Sequence, residues 1–106
     1  MSTNTTIKEY SDFKSFYPFY LSQHQNTTCR RLHFIGSSLI LITLAYIFIS
    51  ASWVLLWTIP LLGYGFAWVG HFFFEKNKPA TFTYPVYSFI GDWVMYKDLL
   101  IGKLKF

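Results

Sequence analysis

The three histidines of the chain are spaced so that they could form one metal site. His33 precedes the polar run at residues 50–52 by about 27 Å of helix, and His71 follows it by about 30 Å. If the chain turns back at this run, both imidazoles reach the same depth, and His24 lies close by at that same end. Three imidazoles with open coordination positions suit iron(II) or zinc. The number of histidines favours a single ion, unless two chains of a homo-oligomer share one site.

Charged residues stand next to two of these histidines. Glu75 follows His71 by four residues, on the same face of a helix, so its carboxylate could bind the metal or orient a ligand. The alternative is that Glu75 is simply the first solvated residue after an apolar segment. Arg30 and Arg31 precede His33, and a planar guanidinium suits a carboxylate or phosphate head group. Both arginines could equally serve as interfacial anchors.

The histidines belong to a chain that is far more apolar than an ordinary soluble domain. Its 106 residues are 53% apolar, 23% aromatic and 13% charged, whereas soluble domains carry roughly 25% charged residues. No Lys, Arg, Asp or Glu occurs from residue 32 to residue 74. This composition excludes intrinsic disorder, and a single cysteine excludes an internal disulfide. No nucleic-acid-binding motif accompanies the net charge of +4. We therefore predict an integral membrane protein.

The uncharged stretch is long enough for two membrane spans. One span needs about 20 residues, and residues 50–52 are the most polar short run inside the stretch. We predict transmembrane helices over residues 32–49 and 53–74, joined as a hairpin; a buried hairpin in a soluble protein is the alternative. Small residues let membrane helices approach closely. The helix faces that carry the histidines contain Gly36, Ser37, Gly63 and Ala67.

The flanking segments predict two amphipathic helices at the membrane surface. Apolar residues recur at steps of three and four over residues 7–25 and again over residues 86–104. Asp92 and Asp98 are expected on the polar side of the second helix. The predicted fold class is thus all-α, with residues 1–106 forming a single membrane domain.

The basic residues predict how the hairpin is oriented. They precede the first span and follow the second, and none lies in the turn between them. The positive-inside rule then places both termini in the cytoplasm. The membrane would be the bacterial inner membrane, or the endoplasmic reticulum in a eukaryote. The residues concerned are Lys8, Lys14, Arg30, Arg31, Lys76, Lys78, Lys97, Lys103 and Lys105.

Two runs of the sequence resemble a family of small membrane proteins found in bacteria and fungi. They are YPFYLSQHQNTTCRRLHFIGSSL, at residues 17–39, and GHFFFEKNKPATFTYPVYSFIGDW, at residues 70–93. The best-known branch of this family is a fungal endoplasmic-reticulum enzyme of phytosphingosine breakdown. That enzyme is an iron(II)-dependent dioxygenase that α-oxidises 2-hydroxy fatty acids and shortens them by one carbon. The chain looks like a short bacterial-type branch, and the similarity covers about residues 16–102.

The resemblance implies both a ligand set and a substrate. The residues expected to hold iron(II) are His24, His33 and His71. Those expected in a second shell, or as a further ligand, are Asn26, Glu75 and Asn77. The implied substrates are dioxygen and a 2-hydroxy fatty acid whose tail lies among the membrane lipids. In this hypothesis Arg30 or Arg31 neutralises the fatty-acid carboxylate.

Two other functions remain open from the sequence. A non-enzymatic haem or metal carrier would use His33 and His71 as axial ligands and show a Soret band. A structural or assembly protein would use the histidines for hydrogen bonds alone and bind no stoichiometric metal.

Overall fold

The computed structural model describes residues 10–106, and all the regular secondary structure in that range is helical. The predicted all-α class is therefore confirmed. The four α-helices in this range are α1 (Phe13–Ser22), α2 (Thr27–Ser50), α3 (Thr58–Val69) and α4 (Pro85–Leu100). A 3₁₀ segment, Trp53–Trp57, leads into α3, and a π-helical turn, Gly70–Glu75, continues it. A 3₁₀ turn, Ala80–Phe82, precedes α4.

Helix α1 is shorter than the sequence pattern predicts. Residues 7–9 of the predicted helix lie outside the described residues, and residues 10–12 are not helical. Asp12 caps α1, because its side chain accepts a hydrogen bond from the Ser15 backbone N–H at 2.8 Å. At the other end α1 stops at Ser22, before the predicted limit at residue 25.

Helix α2 begins earlier than predicted, at Thr27 instead of residue 32. The side chain of Asn26 accepts a hydrogen bond from the Cys29 backbone N–H at 3.1 Å and caps the helix there. Arg30 and Arg31 therefore lie inside α2, within its first two turns. The capping residue, and not the end of the charged segment, therefore sets the start of α2.

The chain reverses direction directly after α2. Ala51 adopts a left-handed conformation with φ of 54°, and the Ser52 backbone N–H donates to the Ile47 carbonyl at 3.1 Å. The second helical stretch then runs back along the first. A Cβ placed on Gly36 would lie 3.0 Å from the Cβ of Phe66, so the two helices touch at this glycine.

The outer surface of this hairpin is apolar. The helices Thr27–Ser50 and Trp53–Glu75 are both long and apolar enough to cross a membrane. Few of their residues are buried within the chain, and large side chains such as Ile49 and Trp57 are exposed by 87% and 61%. The apolar residues of the hairpin thus mostly face outward and do not form a core.

The hydrophobic core lies beside the open end of the hairpin, where α1 packs on α4. Its buried members are Phe16, Tyr20, Ala80, Met95 and Leu99. Helix α4 ends at Leu100, and a turn follows in which the Leu104 backbone N–H donates to the Asp98 carbonyl at 3.0 Å. The predicted helical segment at residues 86–104 thus ends four residues early.

The two aspartates of α4 face this core, and their predicted place on a polar face is wrong. The Tyr17 hydroxyl donates to Asp98 Oδ2 at 2.8 Å, and the Tyr20 hydroxyl donates to Asp92 Oδ1. Asp98 is only 2% exposed. The phenolic donors of α1 make burial of these carboxylates tolerable, because each supplies a hydrogen bond that water would otherwise provide.

Candidate metal centre

Three separate elements bring the histidines together. His24 lies in the short connection between α1 and α2, His33 lies in α2, and His71 lies in the π-helical turn. One ring nitrogen from each histidine falls within 4.8 Å of the other two, and all three residues are buried. The Nε2 atoms of His24 and His33 are 3.2 Å apart.

The second ring nitrogen of each imidazole faces a carbonyl oxygen. His24 Nδ1 lies 2.6 Å from the Tyr20 backbone carbonyl, and His33 Nδ1 lies 2.9 Å from the Cys29 carbonyl. His71 Nδ1 lies 2.8 Å from Asn77 Oδ1. A carbonyl oxygen only accepts, so each Nδ1 carries the proton and donates it. Each Nε2 is left with a free lone pair, as in histidines that bind metals.

Asn77 is held with its carbonyl oxygen towards His71. Its Nδ2 donates to the Gln23 backbone carbonyl at 3.1 Å and to Gln23 Oε1 at 3.2 Å. Because both Gln23 atoms are acceptors, the nitrogen of the Asn77 amide group faces Gln23 and the oxygen faces His71. The Asn77 backbone N–H donates to the His71 carbonyl at 3.0 Å as well. Asn77 therefore sets both the tautomer and the position of His71.

The nitrogen atoms fit a metal cation. Two lone pairs at 3.2 Å repel each other unless a cation or a proton lies between them. A proton is disfavoured, because burial and then the neighbouring His33 and His71 hold the pKa of His24 well below its usual range. Three neutral nitrogen donors with coordination positions left open suit a divalent transition metal.

Glu75 does not join the histidines. Its Oε2 accepts a hydrogen bond from the Asn26 backbone N–H, and the metal-capable group found among residues 10–106 consists of the three histidines. A carboxylate at the N-terminus of α2 is also favoured by the helix dipole. Asn26 and Glu75 thus hold the start of the helix that carries His33, and the role of Glu75 as a second-shell residue or ligand stays a prediction.

The side chains of the two arginines make contacts within the protein, and the predicted role of Arg30 or Arg31 at a substrate carboxylate stays a prediction. Arg30 Nε donates to the His24 backbone carbonyl at 2.6 Å. Arg31 lies over the ring of Phe106, with its guanidinium carbon 5.1 Å from the ring centroid. A cavity lies next to the histidines, and neither arginine is among the described residues that line it. Arg30 instead positions the backbone of a histidine.

A cavity of about 340 Å³ opens from the histidine cluster and runs between α2, α3 and the first half of α4. Its volume lies in the range of small-molecule sites, which is about 300–1,000 Å³. At the histidine end its polar lining includes Tyr20, Ser37, Ser88 and Asp92. Towards the hairpin turn the lining is apolar and includes Ile40, Leu44, Ile59 and Pro60. The cavity therefore suits a molecule with a polar head and an apolar tail.

Tyr20 and Asp92 form part of this lining, and sequence reasoning missed their pairing. The two residues are 72 positions apart in the chain, and no local sequence pattern predicts a contact at that separation. Burial, followed by the charge of Asp92, raises the pKa of Tyr20 well above its usual range. Burial also raises the pKa of Asp92 to about 6, although the hydrogen bond from Tyr20 opposes this shift.

The fold and the site together define a small all-helical protein with a buried three-histidine centre at the polar end of an apolar cavity. The family model described as 2-hydroxy-palmitic acid dioxygenase Mpo1-like matches residues 10–104, and the chain belongs to this Mpo1-like family. The resemblance noted in the sequence is thereby confirmed. No curated protein matches the chain, and no solved structure matches it.

Proposed function

We propose that the protein is an iron(II)-dependent dioxygenase that converts a 2-hydroxy fatty acid to a product one carbon shorter. One observation carries the proposal: one ring nitrogen from each of three buried imidazoles lies within 4.8 Å of the other two at the polar end of an apolar cavity. The description of the family, which names a 2-hydroxy-palmitic acid dioxygenase, supports this choice of substrate and reaction.

The three histidines would hold the metal through their Nε2 atoms. When bound, iron(II) would supply a redox centre with open positions for dioxygen and substrate. All three imidazoles are neutral donors, so they leave the charge of a dication uncompensated. The site is thus suited to an anionic carboxylate even though neither arginine lines the cavity among the described residues.

The cavity would bind the acyl chain of the substrate. Ile40 and Leu44 follow Ser37 along α2, away from the histidines, and Ile59 faces them from the returning helix. Apolar side chains exclude water from this part of the cavity. The acyl chain would leave the lipid for an equally apolar wall, so shape and packing, and not transfer from water, would set how firmly it binds.

We further propose that the hairpin crosses a membrane and that both termini lie in the cytoplasm. The length and outward apolar surface of the two helices support the insertion, and the distribution of basic residues supports the orientation. The histidine end would then lie near the cytoplasmic surface, with α1 and α4 at the interface. A fatty acid could enter the cavity from the bilayer without passing through water.

The arrangement of the rings is unfavourable to a haem carrier. Two axial imidazoles must stand on opposite faces of a flat porphyrin. Here the ring centroids of His33 and His71 are 5.1 Å apart, and the ring of His24 packs edge-on against both. The third ring occupies space that a porphyrin would need.

The proposal is tested by turnover. Detergent-purified protein is loaded with iron(II) without oxygen and then given dioxygen with 2-hydroxy-palmitic acid or, as a control, palmitic acid. We expect oxygen uptake and a product one carbon shorter from the hydroxy acid alone, and no product from His33→Ala or His71→Ala. Ser38→Ala, whose site lies outside the cavity against Tyr96, should retain turnover. Absence of the shortened product from iron-loaded wild type would refute the proposal.

A further inference from the structure

One hydroxyl in the wall of the cavity is buried without a partner among residues 10–106. Ser88 is 3% exposed, and its Oγ makes no hydrogen bond to any residue the structure describes. The side chain lies among those that line the cavity. Buried hydroxyl groups are nearly always hydrogen-bonded, so this one points to a partner that the protein itself does not provide.

Asp92 lies one helical turn beyond Ser88 on α4 and lines the same cavity. Its Oδ1 accepts the hydrogen bond from Tyr20, so Oδ2 keeps its capacity to accept from a further donor. The Tyr20 ring stacks on the ring of His24 with centroids 4.0 Å apart. A single tyrosine ring therefore separates Asp92 from the histidine cluster.

The chemistry of this pair selects one kind of ligand group. A second carboxylate would be repelled by Asp92, and a methylene group would satisfy neither residue. A hydroxyl group can donate to the carboxylate and accept from the serine at the same time. A 2-hydroxy fatty acid has such a group on the carbon next to its carboxylate, which is the end that we place at the histidines.

We infer that Ser88 and Asp92 form a subsite for the 2-hydroxyl group and thereby select a 2-hydroxy fatty acid over an unhydroxylated one. This inference rests on the proposed function. Sites built to hydrogen-bond a substrate hydroxyl discriminate against the analogue that lacks it, because their buried polar groups are then left unpaired. The two residues act on binding and position, while the histidines bind the metal.

The test compares the binding of 2-hydroxy-palmitic acid and palmitic acid to iron-loaded protein without oxygen, so that no turnover occurs. Each acid displaces a fluorescent fatty acid from the cavity. We expect Ser88→Ala to weaken binding of the hydroxy acid by about 5- to 10-fold, the effect of one hydrogen bond. Binding of palmitic acid should change by less than about 2-fold, since that acid makes no such bond. The Ser88 hydroxyl makes no hydrogen bond to the part of the chain that the structure describes, so its removal should leave the fold intact.

A second variant and a control complete the design. Asp92→Asn keeps an oxygen to accept from Tyr20 but replaces the other acceptor by a donor, and it should reduce the preference for the hydroxy acid as well. Ser38→Ala removes a hydroxyl from α2 that bonds Tyr96 outside the cavity, and it should keep the wild-type preference.

The outcomes separate this inference from the proposed function. A wild-type preference that persists in both Ser88→Ala and Asp92→Asn overturns the subsite, and so does a wild type that binds both acids equally. If wild type nevertheless turns over 2-hydroxy-palmitic acid, the proposed function stands and the subsite alone is wrong. If wild type binds neither acid and turns over neither, both fall.

Discussion

Tyr20 and His24 are joined by two contacts, a stack of their rings with centroids 4.0 Å apart and a 2.6 Å hydrogen bond from His24 Nδ1 to the Tyr20 carbonyl. The hydroxyl at the far end of the same ring donates to Asp92. A glycine at position 91 makes room for this ring, because a Cβ there would lie 2.9 Å from Tyr20 Cδ2. The core between α1 and α4 is thus coupled directly to the histidine cluster.

Tyr20→Phe separates the two roles of this tyrosine. The stack on His24 and the backbone hydrogen bond remain, while Asp92 loses its donor. A buried acceptor without its partner costs about 1–3 kcal/mol, so we expect a lower melting temperature in detergent with metal stoichiometry unchanged. Tyr17→Phe, which removes the donor to Asp98 far from the histidines, is the matched control for stability. Loss of metal from Tyr20→Phe would mean that the hydrogen bond to Asp92 is also needed for metal binding.

Asn77→Leu tests the residue that orients His71. The substitution removes the acceptor for Nδ1, so the imidazole is free to change its tautomer and rotate. Loss of such a partner typically weakens metal binding by about 10- to 100-fold, which a competing chelator of known affinity would measure. Asn77→Asp retains an oxygen acceptor and should bind metal far better than Asn77→Leu. Equal affinities in wild type and Asn77→Leu would show that Asn77 does not orient the ligand.

Glu75→Gln distinguishes a ligand from a helix cap. The glutamine Oε1 can still accept from the Asn26 backbone N–H, but the charge near the N-terminus of α2 is lost. We expect metal content to stay at the wild-type level, with stability reduced by about 0.3–1 kcal/mol. A large drop in bound metal would mean that the carboxylate is a ligand after all.

The raised pKa of Asp92 predicts a pH dependence of stability with a definite sign. Between about pH 4 and pH 6 the carboxyl group ionises in the unfolded chain while the folded protein keeps it protonated. The folded state binds more protons, so stability falls as pH rises through this window and the contribution is constant above it. The loss is up to about 3 kcal/mol, at 1.36 kcal/mol for each unit of pKa shift.

The matched variant for this pH effect is Asp92→Asn, which cannot ionise. Thermal unfolding of metal-free protein, measured from pH 4 to pH 7, should show wild type losing stability relative to Asp92→Asn as pH increases. Other groups, including His24, contribute equally to both proteins and cancel in the difference. A difference that does not change with pH would mean that the pKa of Asp92 is not raised by folding.

The proximity of His33 and His71 could be predicted from the sequence. In an antiparallel hairpin, the rise per residue alone determines how far each residue lies from the turn. The close approach of the helices was also predictable, since Gly36 stands on the face that touches Phe66. Both predictions need only the rise and the periodicity of an α-helix, which are known before any packing is seen.

The contacts of α1 with α4 were out of reach of the same reasoning. The hydrogen bonds to Asp92 and Asp98 join residues 72 and 81 positions apart, and only the packed core decides that these carboxylates turn inward. The surroundings of Glu75 were out of reach for another reason. Residues 70–75 form a π-helical turn, in which the rotation per residue differs from that of an α-helix, so a spacing of four residues does not by itself place Glu75 and His71 on one face.

The central claim is that His24, His33 and His71 bind one metal ion. Elemental mass spectrometry of detergent-purified protein, loaded with iron(II) without oxygen, tests it most directly. We predict about one iron per chain in wild type and in Ser38→Ala, and loss of most of the metal from each of the three histidine-to-alanine variants. A wild type that retains no metal after this treatment, or variants that retain as much as wild type, would contradict the claim.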